Sequence, residues 1–183
     1  MASLSDRLES SLRLTVNRDK SAVDRPWNRG YLGYTLTRHK QPRLTLAKAS
    51  LQRLMQRVRE ILHRGRGRHI RRVIEELTPI LRSWASYFSL VDVKRPLEAL
   101  DQWMRRRLRG VIWRQWKRPR TRRRKLLASG LDAYRAWKSA GNGRGPWWNT
   151  GASHMNQALP KKWVEQLGLI SVLDTLRWLA HSS

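Results

Sequence analysis

The stretch PLEALDQWMRRRLRGVIWRQWKRPRTRRRK, residues 96–125, decides the fold. Its apolar residues recur every three or four positions, at Leu97, Leu100, Met104, Leu108 and Val111. Such a stripe lies on one side of an α-helix and needs an apolar surface to pack against. Pro96 suits a first helical turn because its ring fixes φ and it has no amide hydrogen to leave unpaired. The stretch therefore predicts an amphipathic helix that starts near Pro96.

Two further helical stripes precede this one. From about residue 45 the first consists of Leu51, Leu54, Met55, Val58, Ile61 and Leu62, and it ends before Gly65 and Gly67. The second consists of Ile70, Val73, Ile74, Leu77, Leu81, Trp84 and Phe88, with Pro79 inside it. Either this helix kinks at Pro79, or Thr78 caps a new helix that has Pro79 in its first position. Three amphipathic helices predict a bundle.

Shorter helical segments follow the bundle. Thr121 is a suitable N-cap for a helix over about 122–129 that ends at Gly130, and a second helix is expected over 131–139. After a glycine-rich break at 141–146, two more helices are expected over about 160–167 and 170–180, separated by Gly168.

Residues with β-strand character occur near the N-terminus. Apolar and polar residues alternate over 12–16, which predicts a short strand, and 17–21 has the composition of a turn. The run 31–37 is a second candidate strand, and 43–46 is placed to pair with it across a turn at 39–42. Two or three strands do not build a core of their own. The predicted fold class is therefore mainly α, a helical bundle with a small N-terminal β appendage.

Composition narrows the class of partner. The 183 residues include 39 Lys or Arg and 13 Asp or Glu, a net charge of +26, yet 40% are apolar and ten are Trp, so a core is available. Such an excess points to a polyanion, nucleic acid before membrane. The absence of cysteine excludes disulfides, thiolate zinc sites and cysteine nucleophiles, and is compatible with a reducing cytosol. Neither a Sec-type signal nor a membrane span is predicted.

The basic residues are concentrated in 103–125, where twelve occur without one acidic residue. Such a density favours phosphate binding over a merely solvated helix face, because each neutralised phosphate releases condensed counterions. The candidate RNA-binding residues are Arg105, Arg106, Arg107, Arg109, Trp113, Arg114, Lys117, Arg118, Arg120, Arg122, Arg123, Arg124 and Lys125.

Several tryptophans have more than one interpretation. At 100° per residue Trp113 points away from the apolar stripe and among arginines, so it either stacks on an RNA base or packs against a neighbouring helix or the C-terminal segment. Trp84 is expected in the core, and Trp116 lies at the edge of its stripe. Trp147 and Trp148 form either a surface stacking pair or, as we favour, an apolar plug that holds the C-terminal arm to the bundle.

Catalytic and metal-binding motifs are absent from the sequence. None of the seven Asp residues is adjacent to another acidic residue, and the one acidic pair, Glu75 and Glu76, is expected on a solvated helix face. The five His residues show no metal-ligand spacing, and neither a Walker-type loop nor a Gly-x-Ser-x-Gly turn occurs. The residues thus predict a binding protein without catalytic or metal-ligating side chains and without a cofactor.

The order of short motifs resembles the C-terminal part of group II intron reverse transcriptases. LRLTVNRDKS at 12–21 and YLGY at 31–34 are similar to blocks at the end of the palm. LRSWASYF at 81–88, LDQWMRRRLR at 100–109 and WRQWK at 113–117 resemble the maturase-specific thumb, or X domain, and residues 148–169 resemble bacterial members. The resemblance implies a helical thumb that grips structured intron RNA and assists its folding and splicing in a bacterial cytoplasm, with a DNA target as a further partner.

The resemblance also implies a division of the chain. Residues 1–44 correspond to a residual palm segment, 45–139 to the maturase domain and 140–183 to a C-terminal helical arm. The polymerase Asp-Asp pair of the family, which holds Mg²⁺ in the complete polymerase, does not occur here. We therefore expect a shortened reverse transcriptase without polymerase activity of its own.

Three functions fit these features. The first is an RNA-binding maturase domain. The second is an accessory thumb subunit that completes a polymerase with a separately encoded fingers and palm polypeptide, which an unpaired strand edge would favour. The third is a generic basic nucleic-acid-binding protein.

Overall fold

The computed structural model describes residues 2–13, 15, 17 and 24–182, and most of them are helical. The helices are α1 (Ala2–Ser11), α2 (Lys48–Arg64), α3 (Ile70–Tyr87), α4 (Arg95–Gln115), α5 (Pro119–Ala128), α6 (Ala133–Ala140), α7 (Pro146–Gly151), α8 (Ser153–Ala158), α9 (Lys161–Gln166) and α10 (Val172–Ser182). Two strands, β1 (Tyr34–Leu36) and β2 (Leu44–Leu46), and short 3₁₀ turns at Pro26–Asn28 and Gly65–Gly67 complete the elements. The predicted fold class, mainly α with a small β appendage, is confirmed.

The β appendage is a two-stranded antiparallel hairpin. Thr35 pairs with Thr45, so the two predicted runs pair as expected, although each strand is only three residues long. The Tyr34 hydroxyl donates a hydrogen bond of 2.6 Å to the carbonyl of Tyr87, which ties the hairpin to α3. Gly33 has a φ of +84°, and a Cβ there would lie 2.8 Å from Ser50 Oγ, so this position requires glycine.

The predicted strand at 12–16 is not found in the residues that are described. Leu12, Arg13 and Thr15 lie outside any strand, whereas residues 14 and 16 and most of the expected turn at 17–21 lie outside the described residues. The helix α1, which precedes this stretch, was not predicted from the sequence.

The main core is formed by α2, α3 and α4 together with α9 and α10. All three predicted stripes point inward, and the buried side chains include Leu54, Val58, Ile61, Val73, Ile74, Leu77, Leu81, Leu97, Leu100, Met104, Leu108, Val164, Val172 and Leu176. Helix α3 passes through Pro79 as one helix, rather than starting anew after Thr78. The reason is that the apolar stripe continues on both sides of the proline, while the Thr78 hydroxyl donates to the Ile74 carbonyl at 2.9 Å.

A second core lies at the C-terminal end of α4. It is made of Ile112, Trp113, Leu126, Leu131, Ala136, Met155, Ala158 and Leu159, which come from α4, α5, α6, α8 and the segments beside them. The sequence did not predict α7 and α8, which are six residues long each and lie between the expected glycine-rich break and the helix predicted over 160–167. Helix α5 begins at Pro119 rather than after Thr121, because proline occupies the first position of this helix.

A buried carboxylate on α4 fixes the start of α10. Asp101 accepts hydrogen bonds from the backbone N–H groups of Val172 at 3.0 Å and Leu173 at 3.2 Å, and from the Ser171 hydroxyl at 2.5 Å. The first N–H groups of a helix have no hydrogen-bond partner within the helix, so a carboxylate acceptor at this position satisfies them. Its negative charge also interacts favourably with the positive end of the helix dipole. Asp101 therefore acts as an N-cap supplied from 70 residues earlier in the chain.

Replacing Asp101 with Ala is expected to lower the free energy of unfolding by about 1–3 kcal/mol, because buried N–H groups lose their acceptor. Urea denaturation followed by circular dichroism measures the loss. Glu98→Ala on the same helix is the control, since this carboxylate is about half exposed and lies 4.0 Å from Arg177; it should cost less than about 1 kcal/mol. Equal losses in the two variants would contradict the cap.

Candidate nucleic-acid interface

The predicted binding residues divide into two sets by exposure. Arg105, Arg106, Arg107 and Arg109 on α4 and Arg122 on α5 are only partly exposed, whereas the exposed set consists of Arg114, Lys117, Arg118, Arg120, Arg123, Arg124 and Lys125. Their surroundings differ accordingly. The guanidiniums of Arg106, Arg107 and Arg109 contact other protein groups, whereas the exposed cations from Lys117 to Lys125 lie on α5 and in the turn before it.

Two of the α4 arginines lie over tryptophan rings. The Arg106 guanidinium carbon is 4.0 Å from the ring centroid of Trp147, and that of Arg107 is 4.8 Å from the same ring. Arg107 also lies 5.4 Å from the ring of Trp103, which Arg59 of α2 approaches at 5.4 Å. We call Arg59, Trp103, Arg107, Trp147 and Arg106 the arginine–tryptophan ladder. Cation–π contacts of this kind hold guanidiniums in place without neutralising them.

A basic groove lies between α2 and α4, beside the ladder. It has a volume of about 570 Å³ and is lined by five arginines, one histidine and one carboxylate: Arg57, Arg59, Glu60, His63, Arg64, Arg107 and Arg114, with Gln56 and Leu62. Burial and the neighbouring charges of Arg59, Arg114 and Arg106 lower the pKa of Arg107 from its usual value. The positive charges are thus close enough to repel one another, and an anion in the groove relieves that repulsion.

Four groove residues on α2 were missed from the sequence: Arg57, Arg59, His63 and Arg64. A signal for them exists, because positions 56, 59 and 63 and positions 57, 60 and 64 recur at helical spacing and so share one side of α2. These residues do not form an uninterrupted basic run, since Glu60 lies among them and ion-pairs with Arg57 at 3.5 Å.

Two predicted binding residues are engaged in internal contacts. Arg109 donates to the Leu159 carbonyl at 3.0 Å and to the Asn156 side-chain oxygen, and Arg122 donates to the Trp116 carbonyl at 2.8 Å. Burial lowers the pKa of both guanidiniums, and the charge of Arg105 contributes for Arg109. These two side chains hold the second core together from its edges.

Trp113 is fully buried, so the expectation that it stacks on RNA is wrong and the alternative, packing against neighbouring segments, is right. Its ring lies 4.5 Å from the Arg122 guanidinium carbon, 5.7 Å from the ring of His154 and 6.4 Å from that of Trp116. The helical wheel placed it correctly opposite the main stripe. However, the second core covers that side of α4.

The apolar plug expected at Trp147 and Trp148 is also wrong, because these side chains are 45% and 47% exposed. Trp147 forms part of the ladder, and Trp148 lies 4.5 Å from the guanidinium carbon of Arg144. Gly151 allows this arrangement, since a Cβ there would lie 2.9 Å from the Arg106 guanidinium. Trp84 packs against the main core, as predicted.

The acidic and histidine residues form no metal-binding group within the described part of the chain. Glu76, expected on a solvated face, is partly buried and pairs with Arg68 at 2.7 Å and Arg64 at 3.8 Å. No helix among the described residues is long and apolar enough to cross a bilayer.

Comparison with known families supports the resemblance seen in the motifs. Residues 51–129 match the family model of the group II intron, maturase-specific domain. The match covers α2 from residue 51 onward and all of α3, α4 and α5, and therefore the groove and the ladder except Trp147. No curated protein sequence matches the chain significantly.

Replacing Trp113 with Ala is expected to lower the free energy of unfolding by about 3–5 kcal/mol, because a fully buried indole leaves a large cavity. Thermal and urea melts followed by circular dichroism measure it. Trp137→Ala removes an indole that is 62% exposed and serves as the control, with little change in melting temperature. A melting temperature of Trp113→Ala equal to that of the control would contradict the second core.

His154 is expected to make stability depend on pH. Burial, and secondarily the charge of Arg135, lowers its pKa, so the folded chain binds fewer protons than the unfolded chain. The stabilisation is complete above the unfolded pKa of about 6.5 and is lost as the pH falls below it. Urea midpoints from pH 7.5 to 5 should fall, and His154→Gln should remove most of that fall. His39→Gln, at an exposed position, is the control and should leave the fall in urea midpoint unchanged. If the fall is also unaltered in His154→Gln, His154 is not its cause.

Proposed function

We propose that the chain binds folded intron RNA through the basic groove between α2 and α4, because residues 51–129 match the family model of the group II intron, maturase-specific domain. The observation that carries the proposal is the set of five arginines around one groove with a single carboxylate among them. The groove suits a phosphate backbone, because several guanidiniums can contact successive phosphates and release their counterions.

The ladder makes this surface rigid before RNA arrives. Arg106 and Arg107 are held against Trp147, and Arg107 and Arg59 against Trp103, so less side-chain freedom is lost on binding. Guanidinium groups fixed in this way still carry unused N–H donors, which match phosphate oxygens in pairs. A rigid basic surface recognises the spacing of phosphates, and therefore the shape of a folded RNA more than its sequence.

The proposed role is binding rather than bond cleavage. In this reading the groove stabilises the active fold of the intron, which assists splicing, and the reacting groups belong to the RNA. The residues present in the groove fit that role, because arginines are charged at every physiological pH and serve poorly as proton donors or acceptors.

A second candidate function rests on an apolar surface at the hairpin. Tyr31, Leu32, Tyr87 and Leu90 are all exposed, and the Tyr87 hydroxyl donates to the Leu32 carbonyl at 3.0 Å. This surface suits a subunit that completes a polymerase with a separate fingers and palm polypeptide, because such patches are typical of protein contacts. A generic basic binder, the third possibility, is distinguished from the maturase by the experiment below.

We expect the chain to bind a folded group II intron RNA more tightly than an unrelated structured RNA of equal length. Filter binding in competition, at two salt concentrations around physiological, measures the preference. A preference that survives the higher salt supports recognition of shape. Equal affinities that fall together with salt would identify a generic polycation and contradict the maturase proposal.

The groove itself is tested with a triple variant, Arg59→Gln, Arg107→Gln and Arg114→Gln. The slope of log affinity against log salt should fall in magnitude by about 2–3, since each lost phosphate contact removes roughly 0.7–0.9. Lys40→Gln, Arg43→Gln and Lys48→Gln together make the same change of net charge at exposed positions of the hairpin and the start of α2. If this control reduces the slope as much as the groove variant, RNA does not use the groove.

A further inference from the structure

An exposed indole stands at the last turn of α6, away from the α2–α4 groove. Trp137 is 62% exposed. Among the described residues no cation or aromatic ring lies over it, whereas Trp27, Trp103, Trp113, Trp147 and Trp148 each have an arginine guanidinium carbon within 6 Å of the ring centroid. The face of Trp137 is thus available to a planar ligand.

The surface around Trp137 is a second basic groove. It has a volume of about 440 Å³ and is formed by the first turns of α5 and the last turn of α6. Its charged lining consists of Arg120, Arg123 and Lys138, with no carboxylate among the lining residues. It shares no lining residue with the α2–α4 groove.

The position of the indole is set by the packing of the helix that carries it. Ala136, the residue before Trp137, and Ala140, three residues after it, are both buried, and Ala136 belongs to the second core together with Leu126 of α5. Helix α6 is therefore fixed against α5 through small side chains. The exposed ring has a defined place beside the three cations without contributing to the core.

We propose that the α5–α6 groove is a binding site for unpaired nucleotides, in which a base stacks on Trp137 and the flanking phosphates contact Arg120, Arg123 and Lys138. Stacking on tryptophan requires an exposed base face, which paired bases inside a duplex do not offer. The shared chemistry is a nucleobase between two phosphates, whether it belongs to RNA or to single-stranded DNA. The site adds to the proposed function and does not depend on it.

Trp178 provides a matched comparison within the same chain. It is 66% exposed, slightly more than Trp137, but the groove that it lines contains the carboxylates of Glu165 and Asp174 with one arginine, Arg82. These carboxylates repel a phosphate backbone. An effect of tryptophan removal that is specific to Trp137 therefore reports the basic groove and not indole exposure in general.

The test uses the full chain and fluorescein-labelled eight-nucleotide probes: oligo(dT), oligo(U) and an abasic oligodeoxynucleotide with the same number of phosphates. Fluorescence anisotropy gives the affinities at moderate salt. Because the three probes carry equal charge, the ratio of affinities for base-containing and abasic probes isolates stacking from counterion release. The expected ratio for the unaltered chain is roughly 5- to 150-fold, the range for one stacked base.

Trp137→Leu should bring this ratio close to one, whereas Trp137→Phe, which keeps an aromatic face, should retain much of it. Trp178→Leu should leave it unchanged. Arg120→Gln with Arg123→Gln should reduce the salt slope for oligo(dT) by about 1.4, at roughly 0.7 per contact to a single strand. A base preference in either the oligo(dT) or the oligo(U) arm supports the site, and the larger of the two identifies DNA or RNA as its source.

The proposal is overturned if Trp137→Leu keeps the full ratio, if Trp178→Leu loses as much of it, or if the unaltered chain does not distinguish abasic from base-containing probes. Circular dichroism melts confirm that each variant is folded. Failure here is separate from failure of the maturase proposal, because Trp137→Leu should leave binding of folded intron RNA through the α2–α4 groove intact, and the groove triple variant should leave the base preference intact.

Discussion

The shortage of carboxylates governs how this chain folds. The chain has 39 basic and only 13 acidic side chains, so most cations cannot form an ion pair. The pairs that do form are largely at the surface, where they contribute little to the free energy of unfolding. The half-buried arginines are satisfied in other ways. Arg106 lies over an indole, and Arg109 and Arg122 donate to backbone carbonyls. These contacts leave the positive charge intact, so the molecule keeps its electrostatic field while it packs.

Helix α4 contributes both to the two cores and to the basic surface. One side carries Leu97 to Val111 into the main core, and its C-terminal turns carry Ile112 and Trp113 into the second. The sides that remain present Arg106 and Arg107 to the ladder and Arg114 to the groove. Because both cores hold the same helix, its arginines are fixed in direction. A surface made from a well-packed helix recognises a fixed arrangement of phosphates better than a flexible basic tail does.

The sequence was most informative where one helix packs against one core. The stripes of α2, α3 and α4 follow from a 3.6-residue period alone, and so does the pairing of the two runs of the hairpin from β-prone residues around a turn. Trp113 could not be placed, because a helical wheel gives the direction of a side chain but not what covers it. The second core includes Leu159, which lies 46 residues later in the chain (159 − 113). Helices α7 and α8 are too short to show a period. The α2–α4 groove could not be predicted, because it forms only when tertiary packing brings two separate helices together. The helical spacing of the basic residues on α2 was nevertheless present in the sequence.

Because Asp101 of α4 caps α10, the unit that folds is longer than the segment that matches the family model. The matched segment ends at residue 129, but the main core also contains Val164, Val172 and Leu176. During synthesis at about 5–20 residues per second, α2, α3 and α4 leave the ribosome seconds before the segment that covers them. Until α10 emerges, the Asp101 carboxylate and the apolar side of α4 lack the segment that covers them in the folded chain. The time at which α10 emerges therefore sets when the domain can close.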